Sequence, residues 1–216
     1  MLDFVDIRCK RQMFKFADIS EAVQDFKNGK MLIAVDDEDR ENEGDLVISA
    51  FKTTPEDINF MAKFGRGLIC APVSPKIADK FGLEPMVKSD SCTGDKIATN
   101  FTISIDYKHG TTTGISASDR AKTVNSLCDP KTACDDFIKP GHIFPLRSHS
   151  EGLKSRNGHT EAAIELTKMA GLPEVAVICE IINDDGTMAR LPDLIQFAER
   201  HNLKIISIKE MCDIVA

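Results

Sequence analysis

The stretch from residue 31 to residue 50 decides the fold and reads MLIAVDDEDRENEGDLVISA. Its first five residues, Met31 to Val35, are apolar and stop abruptly at a cluster of acids. A buried strand that delivers its C-terminal end to a polar loop has this pattern. The apolar run Leu46 to Ala50 predicts a return strand. Residues 36–45 are therefore expected to form a loop between two buried strands.

Helix and strand patterns alternate on both sides of this pair. Asp18 and the apolar residues after it predict a short helix that ends at Asn28-Gly29. Further strands are predicted at residues 67–71, 101–105, 175–182 and 204–208, and further helices after Thr54, after Ser74, at 118–127, from 159 and at 192–200. No repeat or Ser/Gly-rich linker divides these elements. The prediction is a single α/β (α+β) domain over residues 1–216, a three-layer α/β/α arrangement with a mixed β-sheet.

Two stretches, residues 84–100 and 147–158, contain few periodic apolar residues and many polar ones. They are predicted to be mobile loops, and loops of that length beside polar clusters often act as lids.

Composition excludes several classes of partner. The chain has 216 residues, of which 42% are hydrophobic, enough for one substantial core. Its formal net charge is −7, but residues 36–45 alone carry seven carboxylates and one arginine, so the rest of the chain has no basic surplus. Nucleic acid is therefore not expected as a partner. With no signal-peptide pattern and no apolar stretch of the ~18 residues that span a bilayer, no membrane partner is expected either, and the predicted location is cytoplasmic.

The acidic loop is the sharpest candidate for a functional site. Carboxylates packed this densely repel one another, and hard oxygen ligands suit Mg²⁺ or Mn²⁺. A solvated acidic turn is the alternative. The buried strand before the loop, Gly44 and Arg40 favour a cation site. The loop lacks EF-hand spacing, and the chain has neither a P-loop nor a G-x-G-x-x-G motif, so no organic cofactor is predicted.

Other polar residues lie where chemistry is expected. The segment Arg156-Asn-Gly-His-Thr160 runs into a helical pattern, and a guanidinium beside free helix N–H groups predicts a phosphate site. His159 is interpreted as a helix cap or, if the acidic loop is near, as a metal ligand. His142 is placed at the beginning of a short strand, as a structural or pocket-facing group. Glu180 interrupts an apolar run, and burying a carboxylate costs free energy unless that carboxylate is paired or functional. Cys70 ends a strand, as a core or pocket residue.

Six motifs follow one another between about residue 16 and residue 210. They are DRENEGD at 39–45, GLIC at 67–70, GTTTGISA at 110–117 with Asp119-Arg120, GHIFPL at 141–146, GHTEA at 158–162 and NDDGTMAR at 183–190. Together they resemble the 3,4-dihydroxy-2-butanone-4-phosphate synthase family. The resemblance implies conversion of D-ribulose 5-phosphate into L-3,4-dihydroxy-2-butanone 4-phosphate and formate in riboflavin biosynthesis, with Mg²⁺ (or Mn²⁺). It also implies a homodimer with active sites shared across the interface.

The resemblance assigns roles position by position. It implies Glu41 and His159 as metal ligands. It implies catalytic or pocket roles for His142, Glu180, Glu43 and Cys70. It implies substrate contacts for Arg40, Glu41, Asp45, Thr99, Arg156, Asn157, Gly158, His159, Thr160 and Glu180.

Two departures from the family pattern accompany these assignments. Residues 148–155 are less rich in arginine and glycine than relatives commonly are. Many bacterial relatives continue into a GTP cyclohydrolase II domain, which residues 1–216 do not contain, so a single activity is expected. Two other functions stay open: a metal-dependent phosphosugar isomerase or aldolase that releases no formate, and a non-catalytic module that binds metal or phosphate.

Overall fold

The structure is a computed structural model that describes residues 14–87 and 99–215. Within that part of the chain, seven strands form one sheet. The strands are β1 (Leu32–Val35), β2 (Gly44–Ser49), β3 (Cys70–Val73), β4 (Ile105–Tyr107), β5 (Phe137–Arg147), β6 (Ala176–Glu180) and β7 (Lys204–Ser207). The α-helices are α1 (Ile19–Lys27), α2 (Pro55–Phe60), α3 (Pro75–Lys80), α4 (Ala117–Ser126), α5 (His159–Ala170), α6 (Leu191–His201) and α7 (Ile208–Val215).

The sheet is mixed, as the sequence predicts. Its strand order is β4-β5-β3-β6-β2-β1-β7. The pairs β1/β7 and β3/β5 are parallel, whereas β6 runs antiparallel to both β2 and β3. Val35 lies opposite Gly44 where β1 and β2 meet the acidic loop, so the two strands and the loop between them confirm the interpretation of residues 31–50.

Helices cover both faces of the sheet, which gives the predicted three layers. On one face, Ile33 and Ile48 pack with Ile58 of α2 and Leu194 of α6. On the other face, a second cluster joins neighbouring strand residues to α1, α5 and α7; it includes Leu32, Val47, Phe26, Ala162, Leu166 and Met211. Because successive strand residues point to opposite faces, the continuous apolar run of β1 feeds both cores at once.

Short-range signals set where the helices begin. The carboxylate of Asp18 accepts hydrogen bonds from the N–H groups of Ser20 and Glu21, which caps α1. Thr54 and Asp57 form a reciprocal capping box at the start of α2. A π-helical turn, Met61–Gly65, continues α2 and ends at Arg66 in a left-handed conformation with φ of 70°.

Five local expectations differ from the structure. The strand expected at residues 67–71 lies at Cys70–Val73. His142 does not begin a short strand: it is the sixth residue of β5, since Lys139-Pro140-Gly141 stays within the strand at a register shift, between Ile138 and Ile143, which pair with β4. Helix α7 follows β7 without a break and was not expected after the last strand; it buries Ile208 and Met211. Residues 147–158 contain a 3₁₀ turn, Gly152–Lys154, rather than only loop.

The strand expected at residues 101–105 is shorter than predicted. Phe101 and Thr102 make only isolated bridges, and regular pairing begins at Ile105. Most of the loop expected at 84–100 lies outside the described residues. Among the helices that the structure describes, none is both long enough and apolar enough to cross a bilayer.

Candidate active site

The acidic loop folds around one carboxylate, that of Asp36. Its two oxygens accept hydrogen bonds from Arg40 Nη1 (2.8 Å), Glu41 N (3.1 Å) and Glu43 N (2.8 Å). The Asp36 side chain is fully buried. Sequence reasoning treated Asp36 as one acid among seven and missed this role, because only the folded loop shows which carboxylate is turned inward.

Glu41 and His159 come together at the start of α5. Glu41 Oε2 lies 3.7 Å from His159 Nδ1, and His159 is only 7% exposed. Within residues 14–87 and 99–215, the buried Nε2 of His159 has no hydrogen-bond partner. Oxygen or nitrogen atoms of Asp36, Glu41 and His159 all lie within 4.8 Å of one another, a spacing that could hold a metal ion.

Crowding of carboxylates around the His159 imidazole shifts the pKa values of the groups in this cluster. Contact with His159, together with the Arg40 guanidinium, lowers the pKa of Glu41 to about 2. Burial raises the pKa of Asp45 to about 7, although the nearby His159 opposes that rise. Burial disfavours the imidazolium form of His159, but the carboxylates of Asp45 and Glu41 outweigh it and raise the pKa to about 9. The cluster therefore attracts positive charge.

Two guanidinium groups lie beside the same helix start. A Cβ added at Gly158, the N-cap residue of α5, would overlap Arg156 Nη1 and lie 3.1 Å from Arg40 Nη2. Arg156 also donates from Nη2 to Thr99 Oγ1 (2.9 Å) and from Nη1 to Glu161 Oε2 (2.5 Å). Because glycine offers no side chain to cap the first N–H groups of α5, those donors and the two guanidinium groups suit an anion such as a phosphate ester.

The end of β6 supplies a further carboxylate. Glu180 lies opposite Asp45 of β2 in the sheet register, and its Oε2 accepts a hydrogen bond from Leu68 N (2.8 Å). Cys70 lies opposite Ile178, two residues before Glu180. Burial raises the pKa of the Cys70 thiol well above its usual range, which keeps the thiol protonated. Cys70 therefore lines the site as an uncharged thiol, which is a weak nucleophile.

One crevice of about 140 Å³ gathers most of the predicted residues. They are Arg40, Glu41, Glu43, Asp45, Cys70, Thr99, Arg156, His159, Thr160 and Glu180. Gly158 caps the helix beside the crevice, and Asn157 before it is exposed. A larger crevice of about 420 Å³ lies beside Phe64, Phe197 and His201 and contains none of the predicted residues.

His142 is not among the residues that line the crevice. Its backbone N–H donates to Asp106 Oδ1 (2.8 Å), and its ring Nδ1 lies 2.7 Å from Asp106 Oδ2. The His142 side chain is 42% exposed. The buried carboxylate of Asp106 thus fixes the imidazole while the ring stays open to solvent. Sequence reasoning missed Asp106, because the predicted strand ended at residue 105 and only the folded structure shows that β4 includes Asp106.

The fold and the crevice together define a class of α/β proteins in which carboxylates, an imidazole and guanidinium groups surround one small polar cavity. Such a cavity suits a phosphorylated metabolite and a divalent cation. The chain belongs to the 3,4-dihydroxy-2-butanone 4-phosphate synthase family, whose sequence profile matches residues 20–214.

Similar proteins agree with this membership. The chain is 53% identical to the riboflavin biosynthesis protein RibBA of Aquifex aeolicus over 94% of its own length and 50% of that protein. It is 51% identical to the 3,4-dihydroxy-2-butanone 4-phosphate synthase of Neisseria meningitidis, over 93% of this chain and 54% of that one. The chain therefore spans about half the length of the curated relatives it matches.

Solved structures of the family have the same fold. The 3,4-dihydroxy-2-butanone 4-phosphate synthase of Candida albicans superposes with a TM-score of 0.86 at 46% identity, covering 94% of this chain and all of that one. A 3,4-dihydroxy-2-butanone 4-phosphate synthase in complex with two magnesium ions superposes with a TM-score of 0.85 at 41% identity, covering 91% of this chain and 95% of that one.

Proposed function

We propose that this chain converts D-ribulose 5-phosphate into L-3,4-dihydroxy-2-butanone 4-phosphate and formate, a step of riboflavin biosynthesis. The observation that carries the proposal is the 3.7 Å approach of Glu41 to His159 at the start of α5, directly beside the guanidinium groups of Arg40 and Arg156. A cation site next to an anion site is what a phosphorylated ketose needs. Family membership supplies the particular reaction.

Glu41 and His159 would hold a divalent cation, Mg²⁺ or Mn²⁺, with Asp36 close behind them. The donor set fits a cation on two counts: oxygen ligands suit Mg²⁺, and the buried Nε2 of His159 lacks a partner among the described residues. When bound, the cation supplies Lewis-acid stabilisation of negative charge that develops on substrate oxygens.

The side chains of the crevice would perform the remaining tasks. Arg156 and the first N–H groups of α5 would bind the phosphate and keep it from being eliminated while neighbouring carbons react. Glu180, anchored by Leu68 N, would move protons on the sugar carbons, and Glu43 lines the same crevice. The neutral thiol of Cys70 would pack against the substrate and take no proton.

Formate release tests the proposal. The protein is incubated with D-ribulose 5-phosphate and Mg²⁺, and formate and the four-carbon ketone phosphate are followed by ¹H NMR; one formate per substrate consumed is expected. EDTA should stop the reaction, and added Mg²⁺ should restore it. An isomerised sugar without formate would identify an isomerase instead, and substrate or metal binding without turnover would identify a binding module.

Variants of two histidines sharpen the test. His159→Ala should abolish formate release with the fold retained, because it removes a metal ligand. His109→Ala is the matched control: His109 is 62% exposed and pairs with Asp136 away from the crevice. Turnover by His159→Ala equal to that of the control would refute the ligand assignment.

The protein is further proposed to be a cytoplasmic homodimer in which His142 completes the site of a second copy. The support is the position of His142, fixed by Asp106, half exposed and outside its own crevice. Apolar side chains are exposed on Ile115 and Ile138, at 53% and 49%. The free thiols of the described cysteines agree with a reducing compartment.

Mixed variants test the shared site. His142→Ala and Glu180→Gln should each be inactive alone, and mixing them after subunit exchange should restore about a quarter of the parent activity, because half the dimers are hybrids with one intact site each. Sedimentation velocity gives the oligomeric state. A monomer, or a mixture that stays inactive after demonstrated exchange, would contradict the shared site.

A further inference from the structure

Arg190, which is far from the acidic loop in the sequence, binds the backbone of that loop. Its Nη1 donates to the carbonyl oxygen of Glu41 (2.7 Å) and to that of Asn42. The same nitrogen lies 3.9 Å from Glu43 Oε1. One guanidinium nitrogen thus contacts three consecutive residues of the loop, and none of these contacts involves the carboxylate of Glu41 that faces His159.

The backbone of the acidic loop has an unusual conformation at Asn42. Asn42 has a φ of 55°, a left-handed conformation that residues other than glycine seldom adopt. The carbonyl oxygens of Glu41 and Asn42 accept hydrogen bonds from Arg190, whereas the Asp36 carboxylate accepts from the N–H groups of Glu41 and Glu43. Asp36 therefore binds the loop through its backbone N–H groups, and Arg190 binds it through its backbone carbonyl oxygens.

Arg190 is itself held in place at the start of α6. It is the N-cap residue of that helix, and its backbone N–H donates to Asp193 Oδ2 (3.0 Å). One turn further on, Leu194 covers the beginning of β2 so closely that a Cβ at Gly44 would lie 2.5 Å from Leu194 Cδ1. The first turn of α6 therefore contacts the acidic segment at two points, one polar and one apolar.

We infer that Arg190 is a positioning residue for the cation site: by binding the carbonyls of Glu41 and Asn42 it keeps the Glu41 carboxylate opposite His159. The inference rests on the proposed function only in taking Glu41 as a cation ligand. Arg190 is not itself a lining residue of the crevice, and it contacts Glu41, which is one, through the backbone carbonyl only, so its effect on the Glu41 carboxylate passes through the loop backbone. Outer partners that orient a ligand commonly change metal affinity by about 10-fold or more.

The test measures Mn²⁺ binding by the electron paramagnetic resonance signal of free Mn²⁺, on the full chain without substrate. Arg190→Met should weaken Mn²⁺ affinity about 10-fold or more, and Arg190→Lys should recover part of the loss, because an ammonium can bind one carbonyl but lacks the planar fork. Arg200→Met, at the opposite end of α6, is the matched control and should stay within about twofold of the parent.

Amide hydrogen exchange without metal supplies a second readout. The N–H groups of Glu41 and Glu43 should exchange about 10-fold faster in Arg190→Met, while those of the central strand β6 keep the parent rate. Unchanged Mn²⁺ affinity in Arg190→Met overturns the inference, as does faster exchange spread evenly over the whole chain, which would mean a general loss of stability. A parent protein that binds no Mn²⁺ also overturns it. A parent that binds Mn²⁺ but releases no formate would refute the proposed function and leave the role of Arg190 standing.

Discussion

The replacement Glu161→Gln tests how the anion site is held together. The Glu161 carboxylate is 2% exposed and accepts hydrogen bonds from Arg156 Nη1 (2.5 Å) and His149 N (3.0 Å). Removing one charge of a buried ion pair costs about 3–5 kcal/mol, and since the Arg156 side chain is still 13% exposed we expect the lower end, about 3 kcal/mol. For a chain of this size, that loss lowers the melting temperature by about 6–12 °C.

Urea unfolding followed by circular dichroism measures the loss, with the slope m expected to stay constant. Glu165→Gln is the control on the same helix: Glu165 pairs with Lys168 at 3.3 Å near the surface, and such pairs contribute about 1 kcal/mol or less. Added inorganic phosphate should stabilise the parent more than Glu161→Gln, because Arg156 is no longer fixed beside the start of α5. Equal losses in the two glutamine variants would refute the reasoning.

Two further variants test other parts of the structure, the packing around Glu180 and the carboxylate of Asp119. Gly67→Ala should destabilise the protein by about 1–3 kcal/mol in urea unfolding and lower kcat, because the new Cβ would lie 2.5 Å from Glu180 Oε2; parent-like stability and kcat would contradict this. The Thr112 hydroxyl and other hydrogen bonds lower the pKa of Asp119 below 3.8, so this carboxylate stabilises the fold above pH 3.8 and the contribution is lost as the pH falls through the folded-state pKa. Asp119→Asn should therefore be less stable than the parent at pH 7, with the two stabilities converging in strong acid, and a constant difference across the pH range would count against it.

Local physics made much of the fold predictable. The strands β1 and β2, the acidic loop between them and the starts of α1, α2 and α5 depend on apolar periodicity and on caps, which involve residues close together in the chain. The same locality explains the errors at β5 and α7. Proline and glycine in Lys139-Pro140-Gly141 resemble a turn, and only the pairing of Ile138 and Ile143 with β4, on either side of the segment, keeps it within one strand.

The residues of the site were predictable in type, and many in position. The acidic loop, Arg156, His159 and Glu180 were singled out by charge density, a helix start and a carboxylate in an apolar run, and the family resemblance gave them roles. The residues that support them were not predictable. Asp36, Asp106, Glu161 and Arg190 are ordinary charged residues in the sequence, and their importance comes from partners that only folding brings near.

The sequence by itself determined which chemistry this protein could contain: carboxylates for a cation, a guanidinium and a helix start for a phosphate. Tertiary structure decided that these groups share one crevice. Glu180 at the end of β6 lines the same crevice as His159 at the start of α5, and β6 pairs antiparallel with β2, which places Asp45 opposite Glu180. The physical reason is that strand pairing acts between segments far apart in the chain, whereas a sequence pattern reports only on neighbours.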